Sequence, residues 1–177
     1  MRLGVDVGTA RVGLAACDAD SVLAYPVATL SRQPVATDAG EPGRSGITDG
    51  PPADIAEIAR VASERDVIEI IVGLPRSLDG SEGAAAAGAR DYALTLARAC
   101  SPVPVRLVDE RLTTVDAHRA LHESGVAGRR HRRVVDQAAA VIILQNALEA
   151  ERLTGTAPGQ PALTVRRKAR RRKGTKQ

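Results

Sequence analysis

Acidic residues fall at three places where the surrounding chain is apolar. Asp6 ends the apolar run of LGVDVGTARVG, directly before a glycine turn. Asp109 and Glu110 follow the run VPVRLV, and Asp136 lies in RRVVDQAAAVIILQ with Ala139, Ala140 and Ile143 at helical spacing from it. A carboxylate at the carboxyl end of a strand stands where open α/β sheets bind ligands, and its burial is costly without a partner. Neighbours along an extended chain point to opposite faces, so only one of Asp109 and Glu110 faces the same side as Asp6; Glu110 is the first choice and Asp109 the alternative. Asp136 shares the apolar face of its helix. Each acid also has an ordinary reading: a turn aspartate for Asp6, a partner of Arg111 for the adjacent pair, dipole stabilisation in a first helical turn for Asp136.

Three carboxylates on separate elements suit a hard divalent cation, Mg²⁺ or Mn²⁺, bound by Asp6, Glu110 and Asp136. A pair of such ions activates water and steadies the leaving oxygen in phosphodiester cleavage, so no nucleophilic side chain is required. His118 and His122 stand at i, i+4 but lack the glutamate of an HExxH motif, so they and His131 read as surface histidines.

The basic residues point to phosphate. Arg11 follows the Asp6 turn, Arg111 follows Glu110, and Arg129, Arg130, Arg132 and Arg133 precede Asp136. Ser77, in the turn LPRSLDG, is a further candidate for a phosphate contact, and Gly80 suits a positive φ there. The net charge of +4 conceals a division: residues 166–176 carry Arg166, Arg167, Lys168, Arg170, Arg171, Arg172, Lys173 and Lys176 with no acid, which leaves 17 bases against 21 acids in the rest. A tail of that composition has nothing to bury and suits a disordered phosphate clamp. Two tyrosines, no Phe and no Trp exclude readers that stack bases on exposed rings, so nucleic acid would be held by its backbone.

The elements that must position these groups follow from pattern. Leu3–Val7, Val12–Cys17 and Val22–Leu30 read as an antiparallel meander, followed by a long exposed loop over about 32–52. Asp54–Arg65 reads as an amphipathic helix with Asp54 and Glu57 in capping positions. VIEIIVG at 67–73 is a strand covered on both faces, Ser81–Ala99 an alanine-rich helix, and Val103–Val108 another strand. Thr113–Ser124 and Arg133–Leu153 read as helices. The fold class is α/β: a mixed five-stranded sheet, an antiparallel meander continued by βαβ crossovers and flanked by helices, over residues 1–153, with 154–177 as a basic tail. Cys17 and Cys100 have no CxxC partner and read as buried thiols of a cytoplasmic protein, and no segment is long and apolar enough for a membrane.

Taken in order, LGVDVGTARVG, IVGLPRSLDGSEG, VDERLTT and VVDQAAAVIILQ resemble the motifs of the YqgF (RuvX) family of Holliday junction resolvases, also described as pre-16S ribosomal RNA nucleases. The resemblance runs from about Met1 to Leu153. It implies a ribonuclease H-like fold related to RuvC, with catalytic acids at Asp6, Glu110 (or Asp109) and Asp136, and a branched DNA or structured RNA as substrate. The family often has a basic residue where this chain has Ala10, which leaves Arg11 as the nearer phosphate contact. The resemblance covers neither the loop nor the tail. A homodimer is left open, as is a non-catalytic RNA-binding, ribosome-binding or transcription-associated role in which the acids are structural. If the tail clamps phosphates, deleting residues 166–176 is expected to weaken binding about equally for all sequences and to flatten the dependence of log affinity on log salt; titrations at several salt concentrations measure both.

Overall fold

Turn chemistry builds the first three strands as a meander. β1 (Arg2–Val7) and β2 (Arg11–Cys17) pair antiparallel across a turn closed by the Gly8 N–H donating to the Arg11 carbonyl at 2.9 Å. β3 (Ala24–Ser31) pairs antiparallel with β2 and forms one edge of the sheet, a position that accommodates Pro26. The computed structural model describes residues 1–32, 50–77, 79–110 and 129–163, for 129–136 the backbone alone. Most of the expected loop, the expected helix over Thr113–Ser124, Arg111, and the basic residues Arg166, Arg167, Lys168, Arg170, Arg171, Arg172 and Lys173 lie outside the described residues.

From β1 the chain crosses to parallel strands. Helix α1 (Ala53–Glu64) leads to β4 (Glu69–Leu74), parallel to β1, and α2 (Ala84–Ala99) leads to β5 (Val105–Asp109), parallel to β4. Helix α3 (Arg129–Thr154) follows. With β6 (Gln160–Pro161) beyond β5, the sheet has the order β3-β2-β1-β4-β5-β6. No helix among the described residues is long and apolar enough to cross a membrane.

The strands sort their side chains by alternation into two cores. On one face Leu3, Val5, Val12, Leu14, Ile70 and Val72 pack with Ile55 and Ile58 of α1 and Tyr92 and Leu96 of α2. On the other, Ala15, Ile71 and Val108 pack with Ala140, Ile143, Leu144, Ala147 and Leu148 of α3. Both cysteines are buried and free, as expected.

Two expectations need correction. The sheet has six strands, because Gln160–Pro161 forms β6, antiparallel to β5, within the segment expected to be tail. Gly155 and Gly159 adopt φ of +67° and +66°, turning the chain off α3 and back onto the sheet. The Arg106 guanidinium then gathers the carbonyls of Pro158 (2.6 Å), Gly159 (2.9 Å) and Ala157 (3.2 Å). A two-residue strand containing proline leaves no periodicity to read. The capping box is also absent: Pro52 caps α1 without a side-chain hydrogen bond, Asp54 accepts instead from the Tyr92 hydroxyl at 2.9 Å, and Glu57 pairs with Arg60.

Helix α3 lies unusually close to the sheet at Gly4. A Cβ there would stand 2.6 Å from Leu144 Cβ and 2.8 Å from the Ala140 carbonyl oxygen. The latter is helix backbone and has little room to retreat. Gly4→Ala is therefore expected to destabilise the fold by about 1–3 kcal/mol, the usual range for overpacking, as read by urea denaturation.

Candidate active site

The face of β1 that meets α3 carries Arg2, Gly4 and Asp6, since Leu3 and Val5 belong to the opposite core. By the same alternation β5 presents Arg106 and Val108 toward α3, and Glu110 follows on that side. Asp6 and Glu110 thus come to one face at the carboxyl ends of parallel strands separated by β4. Between them lies Gly73 of β4, and a Cβ at that position would collide with the Glu110 carboxylate and stand 2.6 Å from Ile143 Cδ1. The glycine is what lets the carboxylate lie over the sheet. Glycine inside the β-branched run VIEIIVG was the available sequence signal for a close approach.

Asp109 takes the other face. It forms an ion pair with Arg76 at 3.7 Å, and Arg76 also pairs with Glu82 at 2.7 Å. Asp109 lines a cavity of about 190 Å³ together with Leu74, Arg76, Leu107, Gly159 and Gln160. Of the two adjacent acids, only Glu110 stands with Asp6.

Burial pushes the Glu110 carboxyl up to about 7, and the negative charges of Asp6 and Asp109 act in the same direction. The contrast is Glu69, at the amino end of β4 on the same sheet face. Burial raises its carboxyl, but Arg2 and Arg106 oppose the rise, with Arg2 Nε at 3.2 Å and Arg106 Nε at 3.8 Å. The sheet therefore neutralises a buried acid at one end and gathers carboxylates at the other.

Helix α3 runs antiparallel to β1: Arg2 donates to Glu151 at 3.1 Å, whereas Gly4 meets Leu144 and Ala140. Two strand residues advance roughly 6.6 Å and a helical turn about 5.4 Å. Asp6 thereby comes level with the turn of α3 that begins at Asp136. The side chains of Asp136, Arg129, Arg130, Arg132 and Arg133 lie outside the described residues, while the helix backbone that carries them is continuous with the packed turns. Among the described residues no three His, Cys, Asp or Glu side chains form a metal-holding cluster.

Two further sequence candidates, Arg11 and Ser77, lie at this end of the sheet. Arg11 opens β2 on the same face as Asp6, whose pairing partner is Gly13. Ser77 is exposed in the turn after β4, where its carbonyl accepts from the Gly80 N–H at 2.8 Å and Gly80 has φ +88°, the positive value expected. Sequence reasoning missed Arg76, which pairs with Asp109 on the other face, and the two glycines that admit α3 and the carboxylate.

Two carboxylates converging on one face, one of them driven toward its neutral form, have the donor chemistry that a hard cation satisfies. Without metal the folded state holds the Glu110 proton at pH values where the unfolded side chain, with its ordinary value of 4.5, has lost it. Stability should then fall as pH rises from about 4.5 to about 7 and level off above, by up to about 3 kcal/mol at about 1.4 kcal/mol per pKa unit. Metal-free melting curves of the parent and Glu110→Gln across that range check this: the parent should slope downward and the variant should be flatter.

Residues 1–150 match the family model described as "RuvX: Holliday junction resolvase". A protein of Kineococcus radiotolerans named "Putative pre-16S rRNA nuclease" is 55% identical over 174 residues, covering 97% of this chain and 84% of its own. One of Streptomyces coelicolor with the same name is 50% identical over 159 residues, covering 90% and 86%. The solved structure "T. thermophilus RuvC in complex with Holliday junction substrate" superposes with a TM-score of 0.51 at 17% identity, covering 90% of this chain and 98% of that one. That likeness is one of fold, and this sheet with its flanking helices is ribonuclease H-like.

Proposed function

Because the chain belongs to the RuvX family of Holliday junction resolvases, we propose that it is a metal-dependent endonuclease of structured nucleic acid, acting on a branched DNA junction or on the end of precursor 16S rRNA. The observation that carries this reading is the placement of Asp6 and Glu110 on one sheet face across Gly73, level with the turn of α3 that holds Asp136. Asp6, Glu110 and Asp136 would hold Mg²⁺ or Mn²⁺. A bound pair of these ions supplies an activated water and charge stabilisation at the leaving oxygen.

This chain's own residues do the positioning. The absence of a side chain at Gly73 leaves the space that the Glu110 carboxylate and Ile143 occupy over the sheet, where the carboxylate is partly buried. Arg11, Ser77 and Arg111, with Arg129, Arg130, Arg132 and Arg133 at the start of α3, would hold phosphates around the site. The polyanion is thereby drawn toward carboxylates that would otherwise repel it.

Cleavage of a synthetic four-way junction and of a precursor rRNA end, compared side by side with Mg²⁺ and Mn²⁺, tests the activity and chooses the substrate. Asp6→Asn, Glu110→Gln and Asp136→Asn are each expected to reduce cleavage to background while preserving the fold, because an amide is nearly isosteric but leaves the cation's charge unmet. Asp109→Asn, on the other face beside Arg76, is expected to retain cleavage. Normal rates in Asp6→Asn would overturn the assignment.

A further inference from the structure

Arg32 holds the turn between Asp6 and Arg11 from outside. Arg32, immediately after β3, donates its backbone N–H to the Ala10 carbonyl at 3.0 Å and its Nη1 to the Gly8 carbonyl at 2.8 Å. Both bonds fall between the two residues that the proposed mechanism uses. Together with the Gly8 N–H to Arg11 carbonyl bond, they leave that turn with two anchored carbonyls and a closed neck.

Arg32 is itself braced. Its guanidinium carbon lies 5.5 Å from the centroid of the Tyr92 ring, within cation–π range. Tyr92 is buried on α2, and its hydroxyl donates to Asp54, a residue only 3% exposed on α1. Burial first, then the Asp54 charge, push the Tyr92 phenol far above its ordinary value, so it remains an O–H donor. A line of contacts thus runs from α1 through α2 to the turn: Asp54, Tyr92, Arg32, Gly8. The chain spends a buried acid, a buried phenol and a half-buried arginine on it, and with its guanidinium committed to the Gly8 carbonyl and the Tyr92 face, Arg32 is built differently from a solvent-facing phosphate binder.

We infer that Arg32 is a positioning residue that fixes the Asp6–Arg11 turn, with Tyr92 and Asp54 as its support on the opposite layer of the fold. The inference rests on the proposed nuclease reading for its catalytic consequence and on the hydrogen bonds alone for its structural one. Active sites lose about 10²-fold from displacements near 1 Å, so freeing this turn is expected to act on turnover ahead of binding.

The test uses the full chain with Arg32→Ala and Arg32→Lys. Arg32→Met, which keeps the aliphatic stem against Tyr92, replaces the alanine variant if that folds poorly. In Arg32→Ala, kcat is expected to fall about tenfold or more with KM within about twofold of the parent, and Arg32→Lys to recover part of the loss, since an ammonium still donates and still sits on the ring. Hydrogen exchange provides the readout independent of cleavage: the Gly8 amide should exchange about tenfold faster in Arg32→Ala, with Val5 and Leu14 unchanged. A raised KM with altered salt dependence and unchanged kcat would make Arg32 a phosphate contact and overturn the proposal. So would unchanged Gly8 exchange, or acceleration spread evenly over β1 and β2. A parent that cleaves neither substrate would defeat the nuclease reading, while the Gly8 exchange would still decide whether Arg32 anchors the turn.

Discussion

Helix α3 comes close to the sheet backbone where the sheet has no side chains to hold it off. Gly4 on β1 and Gly73 on β4 supply that absence on one face, the first against the Ala140 carbonyl and Leu144 Cβ, the second against Ile143 and the Glu110 carboxylate. Packing at interior density converts two missing methyl groups into a fixed helix position. Everything at the carboxyl end of the strands inherits that position: the separation of α3 from Asp6, the space in which Glu110 lies, and the level of the helical turn that begins at residue 136. The small residues Ala139, Ala140 and Ala147 on the helix match the glycines on the sheet, so closeness is built from both sides.

The two ends of this interface handle charge in opposite ways. At the amino end of β1, Arg2 joins Glu69 and Glu151, and Arg106 adds a second cation to Glu69, so buried acids and bases are interleaved. Such a cluster specifies register between helix and sheet more than it stabilises them. At the carboxyl end, burial, Asp6 and Asp109 all move the Glu110 carboxyl upward. Concentrating like charge in a partly buried place disfavours the metal-free fold, which is the general behaviour of sites shaped for a cation. Asp109 shows how finely the division is drawn: one residue away, it pairs with Arg76 on the other face, while its charge still acts on Glu110.

Much of this was legible in the sequence because it rests on short-range rules. Alternation assigned Glu110 and Asp109 to opposite faces, and the apolar spacing after Asp136 predicted the helix whose described turns pack on the sheet. The meander followed from Gly8 and from the turn at Asp18–Asp20. What escaped depended on contacts between residues far apart in the chain. Asp54 has the spacing of a capping residue, yet its partner is Tyr92, 38 positions away. β6 exists because Arg106 collects carbonyls of residues 157–159, a pairing that no local pattern encodes. Gly4 and Gly73 take their meaning from the helix and carboxylate above them, which no local pattern places.

β6 also determines where the chain departs from the sheet. It runs antiparallel to β5, pairing Leu107 with Gln160 and Arg106 with Pro161, and the Ala162 N–H continues to the Val105 carbonyl. The backbone therefore travels from the carboxylate end toward the opposite end before the basic run starts at Arg166. Five strand residues between Glu110 and Val105 amount to about 17 Å of separation. The last described residue, Leu163, is thus distant from the carboxylates. Under the proposed nuclease reading, a phosphate clamp in the basic run would act on the site through local concentration, set by reach and by the length of the polyanion, so that a long folded strand would engage both as a bivalent ligand and a short oligonucleotide only one.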